Sequence, residues 1–434
     1  MRNVILRNIL IFVMFVQLFS CKKDTDENGP DITYSTPFDN QYFNVYDNVP
    51  VKAEITDQTK IVTANVTLVD ENYVPVHITL PFTVSSPGMS VNTTYALDNI
   101  HLTTGLYYLM ITASDGKNDS RKYKPVHING VPKELKKIFL ATDGGGFGTN
   151  MSYIDSTFSG VTPYHFFSGD YLGTSVSSYY QEAFMCGNYT GSFSCMGLQE
   201  NVIKFSYAPL ISPTPYFTSY YGEDKNTYNA RYDGTIKGYD YLGNVVYSGA
   251  ANSGYYVRKM IMNNKKMIAE EKSKTSSSRI LVTFFQTGSA MQQTAISQDV
   301  VAFCRKDDDN VFVFGNAGGT GQIQLFNQVD NNLWNPYPYA LPAGILLSAV
   351  RIDMDTYLIG YSDGTIYKYN YQIGSVTTYL SGYTALQLKY DEVNNRVYVA
   401  ESNMVTGIDY PSKTIVNAVS SAETILGMDL LYNL

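Results

Sequence analysis

One segment of this chain is written twice. Asp233-Gly234-Thr235-Ile236-Lys237-Gly238-Tyr239-Asp240-Tyr241-Leu242-Gly243-Asn244-Val245 is matched, with one residue inserted, by Asp363-Gly364-Thr365-Ile366-Tyr367-Lys368-Tyr369-Asn370-Tyr371-Gln372-Ile373-Gly374-Ser375-Val376. Each copy reads as turn, strand, glycine turn, strand. Val311-Phe312-Val313-Phe314-Gly315, Tyr357-Leu358-Ile359-Gly360 and Arg396-Val397-Tyr398-Val399-Ala400 each place a strand before such a turn. They begin at 311, 357 and 396, that is 46 and then 39 residues apart. That is the period of a four-stranded propeller blade. Residues 136–434 number 299, which at roughly 40–45 residues per blade predicts about seven blades. Residues 138–141 and 424–431 read as strands without neighbours of their own. Pairing them in one blade closes a ring and hides two edges. A large β-sandwich or open meander is the competing arrangement.

Composition agrees with an all-β chain. Of 434 residues, 38 are Tyr and 33 are Gly, while charged residues make up only 16%. Aromatics suit pleated surfaces and Gly suits tight turns. The formal net charge of -8 leaves no basic face for nucleic acid.

Upstream of the repeats, residues 32–131 predict a separate domain of short strands. Val51-Lys52-Ala53-Glu54-Ile55 alternates apolar and polar, and 61–69 continues the alternation with Val62, Ala64, Val66 and Leu68 as its buried face. Asp70-Glu71-Asn72 turns the chain into a strand over 74–82. Residues 105–114 form a strand ending at Asp115-Gly116, a hairpin signal, and 122–128 pairs back. About a hundred residues of this kind predict a β-sandwich. The spacing Gly105-x-Tyr107-x-Leu109-x-Ile111-x-Ala113-x-Asp115-Gly116 resembles the closing hairpin of immunoglobulin-like PKD domains, whose Tyr locks a corner. The resemblance implies a spacer. Residues 130–134 read as the linker to the propeller.

The N-terminus carries an address. Arg2 and Arg7 precede an apolar run over 9–19, of signal-peptide length and too short to span a bilayer. Ser20 and Cys21 follow. This order resembles the lipobox of bacterial lipoproteins, which implies cleavage after residue 20 and acylation of Cys21. Several acyl chains bury CH₂ groups at roughly 0.8 kcal/mol each and hold a protein on a membrane. The tether over 21–31 begins Lys22-Lys23-Asp24-Thr25-Asp26-Glu27. Its acidic cluster resembles the surface-export signal of Bacteroidota-type lipoproteins, a plain solvated linker being the alternative. The expected location is the outer membrane, with display on the cell surface.

The residues that carry chemistry in other proteins are sparse. Four His are present, and only His165 falls in the repeat region. No spacing suits a transition metal or a Ser-His-Asp site. Asp143-Gly144-Gly145-Gly146-Phe147-Gly148 lacks the Lys-Ser/Thr of a phosphate loop and reads as a wide turn. Asp307-Asp308-Asp309-Asn310 offers oxygens for Ca²⁺ but lacks the twelve-residue loop pattern, so a solvated hairpin tip is favoured. No cofactor, metal or catalytic residue is expected. Cys186 and Cys195 bracket a turn-rich segment and are read as either a disulfide or two buried thiols. Cys304 reads as core.

The functional signal is aromatic. Tyr216, Phe217, Tyr220 and Tyr221 crowd a Pro-interrupted stretch, and Trp334 and Tyr337 fall in a second one. Tyr on exposed loops suits sugar rings and extended peptides; Tyr inside blade faces is the plainer alternative. Taken together, lipobox, acidic tether, PKD-like hairpin and propeller repeats resemble a PKD-like family lipoprotein of Bacteroidota-type bacteria. That resemblance implies a non-catalytic module for a glycan or peptide ligand, often beside an outer-membrane nutrient transporter. A carboxylate-dependent glycan-active enzyme and a structural scaffold are the rivals.

Overall fold

The alternation read in 51–69 becomes a long strand whose two halves serve one core. The computed structural model describes residues 28–146, 148–337 and 339–434; the leader, Cys21 and residues 22–27 of the tether lie outside the described residues. Every regular element among the described residues is a strand. The chain divides between Pro132 and Lys133 into two compact units.

The N-terminal unit contains β1 (Asp31–Thr36), β2 (Gln41–Asn44), β3 (Asn48–Val69), β4 (Pro75–Ala96), β5 (Gly105–Ser114) and β6 (Asp119–Asn129). β4 follows β3 along most of its length. β1 pairs only with the first half of β3, around Ile32↔Ile55, and β5 only with the second, around Val66↔Ile111. The register breaks between Thr56 and Ile61, where the Asp57 carboxylate accepts the N–H groups of Thr59 and Lys60. β2 lies parallel to β6. Val51, Ile55, Ala64, Val66, Leu68, Leu109 and Ile111 meet in a single cluster. A second register break between Ile61 and Thr63 turns Ile61 inward and leaves Val62 half-buried, a shift of phase that alternation alone does not reveal. Tyr107 donates its hydroxyl hydrogen to the Thr103 carbonyl at 3.0 Å.

Among the described residues the second unit contains seven four-stranded antiparallel sheets. Blades 2 to 7 occupy residues 173–207, 217–250, 255–296, 299–334, 346–381 and 387–420. Blade 1 joins the C-terminal strand Ile425–Tyr432 to Leu135–Asp143, Gly148–Asp155 and Thr162–Ser168, with Met428 opposite Leu140 and Leu430 opposite Ile138. The first strand of each of blades 2 to 7, and Ile425–Tyr432 in blade 1, touches its counterpart in the next blade, and the contacts run full circle. This is a β-propeller closed by its own C-terminus.

Each apolar cluster of the second unit sits between two consecutive blades, one to each seam. The middle strands therefore bury both faces. In Glu182–Cys186, Phe184 and Cys186 face blade 3 while Ala183 and Met185 face blade 1. This is why such strands read as unbroken apolar runs. The repeated Asp-Gly-Thr turn joins the second and third strands of blades 3 and 6. Asp233 and Asp363 accept the N–H of Thr235 and Thr365. Gly234 and Gly364 hold φ of +105° and +82°, where a side chain is strained.

Candidate functional site

The aromatic residues singled out in blade 3 are mostly packing, not surface. Phe217 and Tyr220 belong to the innermost strand Phe217–Gly222 and to the seam with blade 2. Tyr220 shares a 2.5 Å hydrogen bond with the Ser175 hydroxyl. Its ring lies so close to Gly173 that a Cβ there would sit 2.7 Å from Cδ1. Burial pushes its phenol titration far up. Tyr221 accepts a hydrogen bond from Arg305 at 3.0 Å and donates to Glu223 at 3.3 Å. Arg305 also donates to Glu223 and to the Met262 carbonyl. That network pins blades 3, 4 and 5 together at the end of their inner strands. Tyr216 is half-buried, edge-on to Phe217 at 4.7 Å and beneath the Arg231 guanidinium. The expectation of a loop-borne aromatic platform here is corrected. Phe217, Tyr220 and Tyr221 lie on a strand flanked by neighbouring blades, with Tyr216 just before it, and one sequence cannot separate seam from surface when both faces are apolar.

Of the two readings of the cysteine pair, the structure has the buried thiols. Cys186 and Cys195 are buried free thiols. Cys195 stands opposite Phe184, two positions from Cys186 on the same strand. Such diagonal neighbours lie about 7–8 Å apart, beyond the roughly 4.4–6.8 Å between Cα atoms that a disulfide spans. The intervening loop is held instead by Asp170, whose carboxylate accepts the N–H groups of Asn188, Tyr189, Thr190 and Gly191.

His165 lies on the outermost strand of blade 1, edge-on to Phe167. Gly144–Gly146 form the turn between Leu135–Asp143 and Gly148–Asp155. Asp307 accepts the N–H groups of Asp309 and Asn310 and so closes a hairpin tip. Among the described residues no three His, Cys, Asp or Glu side chains gather where a metal could be held.

Tyr337, but not Trp334, borders an open site. The outermost strand of blade 5, Asn332–Trp334, is only three residues long and pairs with Leu325, Phe326 and Asn327 alone. Pro336 has no N–H to continue the ladder. The chain turns away, and Asn335 Oδ1 accepts the Tyr337 N–H at 2.9 Å. The outer edge of residues 320–324 is left without a strand. A cavity of about 240 Å³ opens between that edge and the loop.

Its walls carry Tyr337, Tyr339, Asn335, Gln322, Gln324 and Thr320, and none of its lining residues is charged. Tyr337 is anchored edge-on to Tyr369 at 6.1 Å. Tyr339 meets Tyr337 at 5.5 Å and is 69% exposed. Gln324 Oε1 is buried with no hydrogen-bond partner. Trp334 packs against the blade 5–6 core beside this loop rather than in the cavity wall. Sequence reasoning placed Tyr339 in the aromatic loop with Tyr337 and missed Gln322 and Gln324. The available signal was the stop in Asn335-Pro336, which shortens the fourth strand and uncovers the third.

No protein-family model matches the chain, and a search of curated proteins finds no match. Among solved structures the chain is similar to a functionally unknown protein from Desulfotomaculum acetoxidans DSM 771, at 11% identity and TM-score 0.52, over 68% of this chain and 99% of that one. It is also similar to a quinonprotein alcohol dehydrogenase-like protein from Bacteroides thetaiotaomicron VPI-5482, at 13% identity and TM-score 0.47, over 94% and 100%. The β-propeller domain of Myceliophteria thermophila Swd1 matches at 10% identity and TM-score 0.45, over 59% and 88%. The likeness at TM-score 0.52 is one of fold alone. The class that the sheet topology defines is a seven-bladed β-propeller preceded by a separate all-β unit.

Proposed function

We propose that this chain is a lipid-anchored, surface-displayed binding module whose blade 5 pocket takes a neutral glycan. The observation that carries the ligand class is the pocket lining. Aromatic faces beside amides and a hydroxyl, with no charge, suit sugar rings, which have apolar C–H faces and neutral hydroxyls. The unpartnered Gln324 oxygen offers an acceptor to one such hydroxyl. Cys21 carries the acyl chains, and the N-terminal unit is an immunoglobulin/PKD-like spacer. The Tyr107 hydroxyl reaching back to Thr103 supports that assignment, since β-sandwiches of this type lock a corner in this way. An outer-membrane nutrient transporter is the expected partner.

The test is calorimetry of the chain from Thr25 with neutral α- and β-linked tetrasaccharides. Binding is expected, and Tyr339→Ala should weaken it roughly fivefold, about 1 kcal/mol of ring contact, with no change in Tm. Affinity that survives Tyr339→Ala and Gln322→Ala, or no binding of any neutral glycan, overturns the reading. Cys21→Ala should move the full chain from the membrane to the soluble fraction.

A further inference from the structure

We propose that the groove where the ring closes, between blades 7 and 1, is a second binding site, specific for a small aromatic carboxylate and independent of the blade 5 pocket. A cavity of about 150 Å³ opens there. Its floor is apolar. Ile138 and Ile154 come from blade 1, the Tyr398 ring comes from blade 7, and all three are buried. Leu135 and Phe158 are half-buried around them. The Phe158 and Tyr398 rings run nearly parallel, 11° apart, with centroids 6.2 Å apart. An apolar cavity of about this volume admits one benzene-sized ring.

The mouth carries three cations, Arg396, Lys136 and Lys137, against one carboxylate, Asp155. Lys136 is paired with Glu134 at 2.7 Å. Arg396 forms no salt bridge among the described residues. Its two cross-strand neighbours are carboxylates with donors of their own: Asp391 accepts from the Asn394 side-chain amide and the Tyr432 hydroxyl, and Asp409, which the Arg396 charge also reaches, accepts from the Ser412 N–H and hydroxyl. Asp155, also at the cavity, accepts the N–H and hydroxyl of Thr157. The Arg396 guanidinium donates toward the buried Tyr398 hydroxyl, whose own hydrogen meets no acceptor. Burial holds that phenol in its protonated, donating form. A guanidinium without a salt bridge, beside a hydroxyl whose hydrogen is unpaired, at the rim of a ring-sized apolar slot, matches a carboxylate carried on a flat apolar body. A planar guanidinium suits the two oxygens of that group. The folding chain gains nothing from leaving a buried hydroxyl unpaired.

The test uses benzoate as the probe and benzamide as its uncharged isostere, by calorimetry on the chain from Thr25. Benzoate should bind, and benzamide should bind at least about tenfold more weakly. Arg396→Gln should weaken benzoate by about tenfold or more and Tyr398→Phe severalfold, while binding at blade 5 is unchanged. Arg396→Lys keeps the charge but loses the fork, and should fall between wild type and Arg396→Gln. It also serves as the folded control if Arg396→Gln proves unstable. Absent benzoate binding, equal binding of benzamide, or benzoate affinity untouched by Arg396→Lys and Tyr398→Phe would each overturn the site. Because the blade 5 pocket is read with neutral sugars, failure of either site leaves the other standing.

Discussion

Asp170 Oδ1 lies 2.8 Å from the Gly191 N–H and takes the neighbouring N–H groups of Thr190 and Asn188 as well. One carboxylate thus gathers a whole loop of blade 2. Asp170→Ala leaves those donors without an acceptor and should cost about 2 kcal/mol, read as a lower urea midpoint. Asp170→Asn keeps one acceptor oxygen and should recover part of the loss.

The same loop should be indifferent to reductant. Cys186, Cys195 and Cys304 are buried thiols, and burial raises the titration of all three, that of Cys304 to about 12. The chain from Thr25 should show three thiols to a thiol reagent only after denaturation, and the same Tm with and without dithiothreitol. A two-dalton mass increase on reduction, or a reductant-dependent Tm, would contradict the register of these strands.

Stability should peak on the acid side of neutrality. At Asp170, burial alone would raise the carboxyl, but the four loop N–H groups outweigh it and hold it low. The Thr157 hydroxyl lowers Asp155, and the Ser412 hydroxyl lowers Asp409. Their contribution is present above the unfolded value of about 3.9 and drains as pH falls through the lower folded values. Buried Glu270 and Glu271 behave oppositely. Burial raises both, against Arg279 and Asn252 respectively. Folding therefore favours their protonated forms, and stability declines as pH rises from the unfolded value of about 4.3 through the raised folded ones. Glu271→Gln removes one such group, so this variant should gain on wild type as pH is raised from about 5 to about 8, measured by urea midpoints.

Tyr220 separates packing from recognition. Tyr220→Ala opens the blade 2–3 seam and should cost about 3–5 kcal/mol, while the glycan binding proposed for blade 5 should not change. Gly173→Ala, which drives a methyl against the Tyr220 ring, should act in the same direction with a smaller cost of about 1–3 kcal/mol.

The ring was legible from particular residues. Asp233-Gly234-Thr235 and Asp363-Gly364-Thr365 mark equivalent turns of blades 3 and 6, and the partnerless strands at 138–141 and 424–431 pair with each other. The site was less legible, for a physical reason. In a propeller both faces of a middle strand are covered, so a Tyr in a seam and a Tyr at the rim share the same kind of local sequence. Tyr220 and Tyr339 differ only in what stands opposite them, and that depends on residues far away in the chain. Between a Cys186–Cys195 disulfide and two buried thiols the register decided, and turn residues leave register open by two positions. Tyr337 was found because Pro336 announces locally that its strand has ended.

The C-terminal strand sits inside the blade that the propeller begins with. Leu135–Asp143 is made early and Ile425–Tyr432 last, and each is the other's edge. Until the final residues arrive, blade 1 shows an open strand edge, and the seams on both its sides lack Met428, Leu430 and Leu431. Such long-range pairing folds slowly and leaves edges exposed meanwhile. The ring is therefore closed by the pairing of two strands almost three hundred residues apart, and a propeller that lacks either of them keeps an open edge.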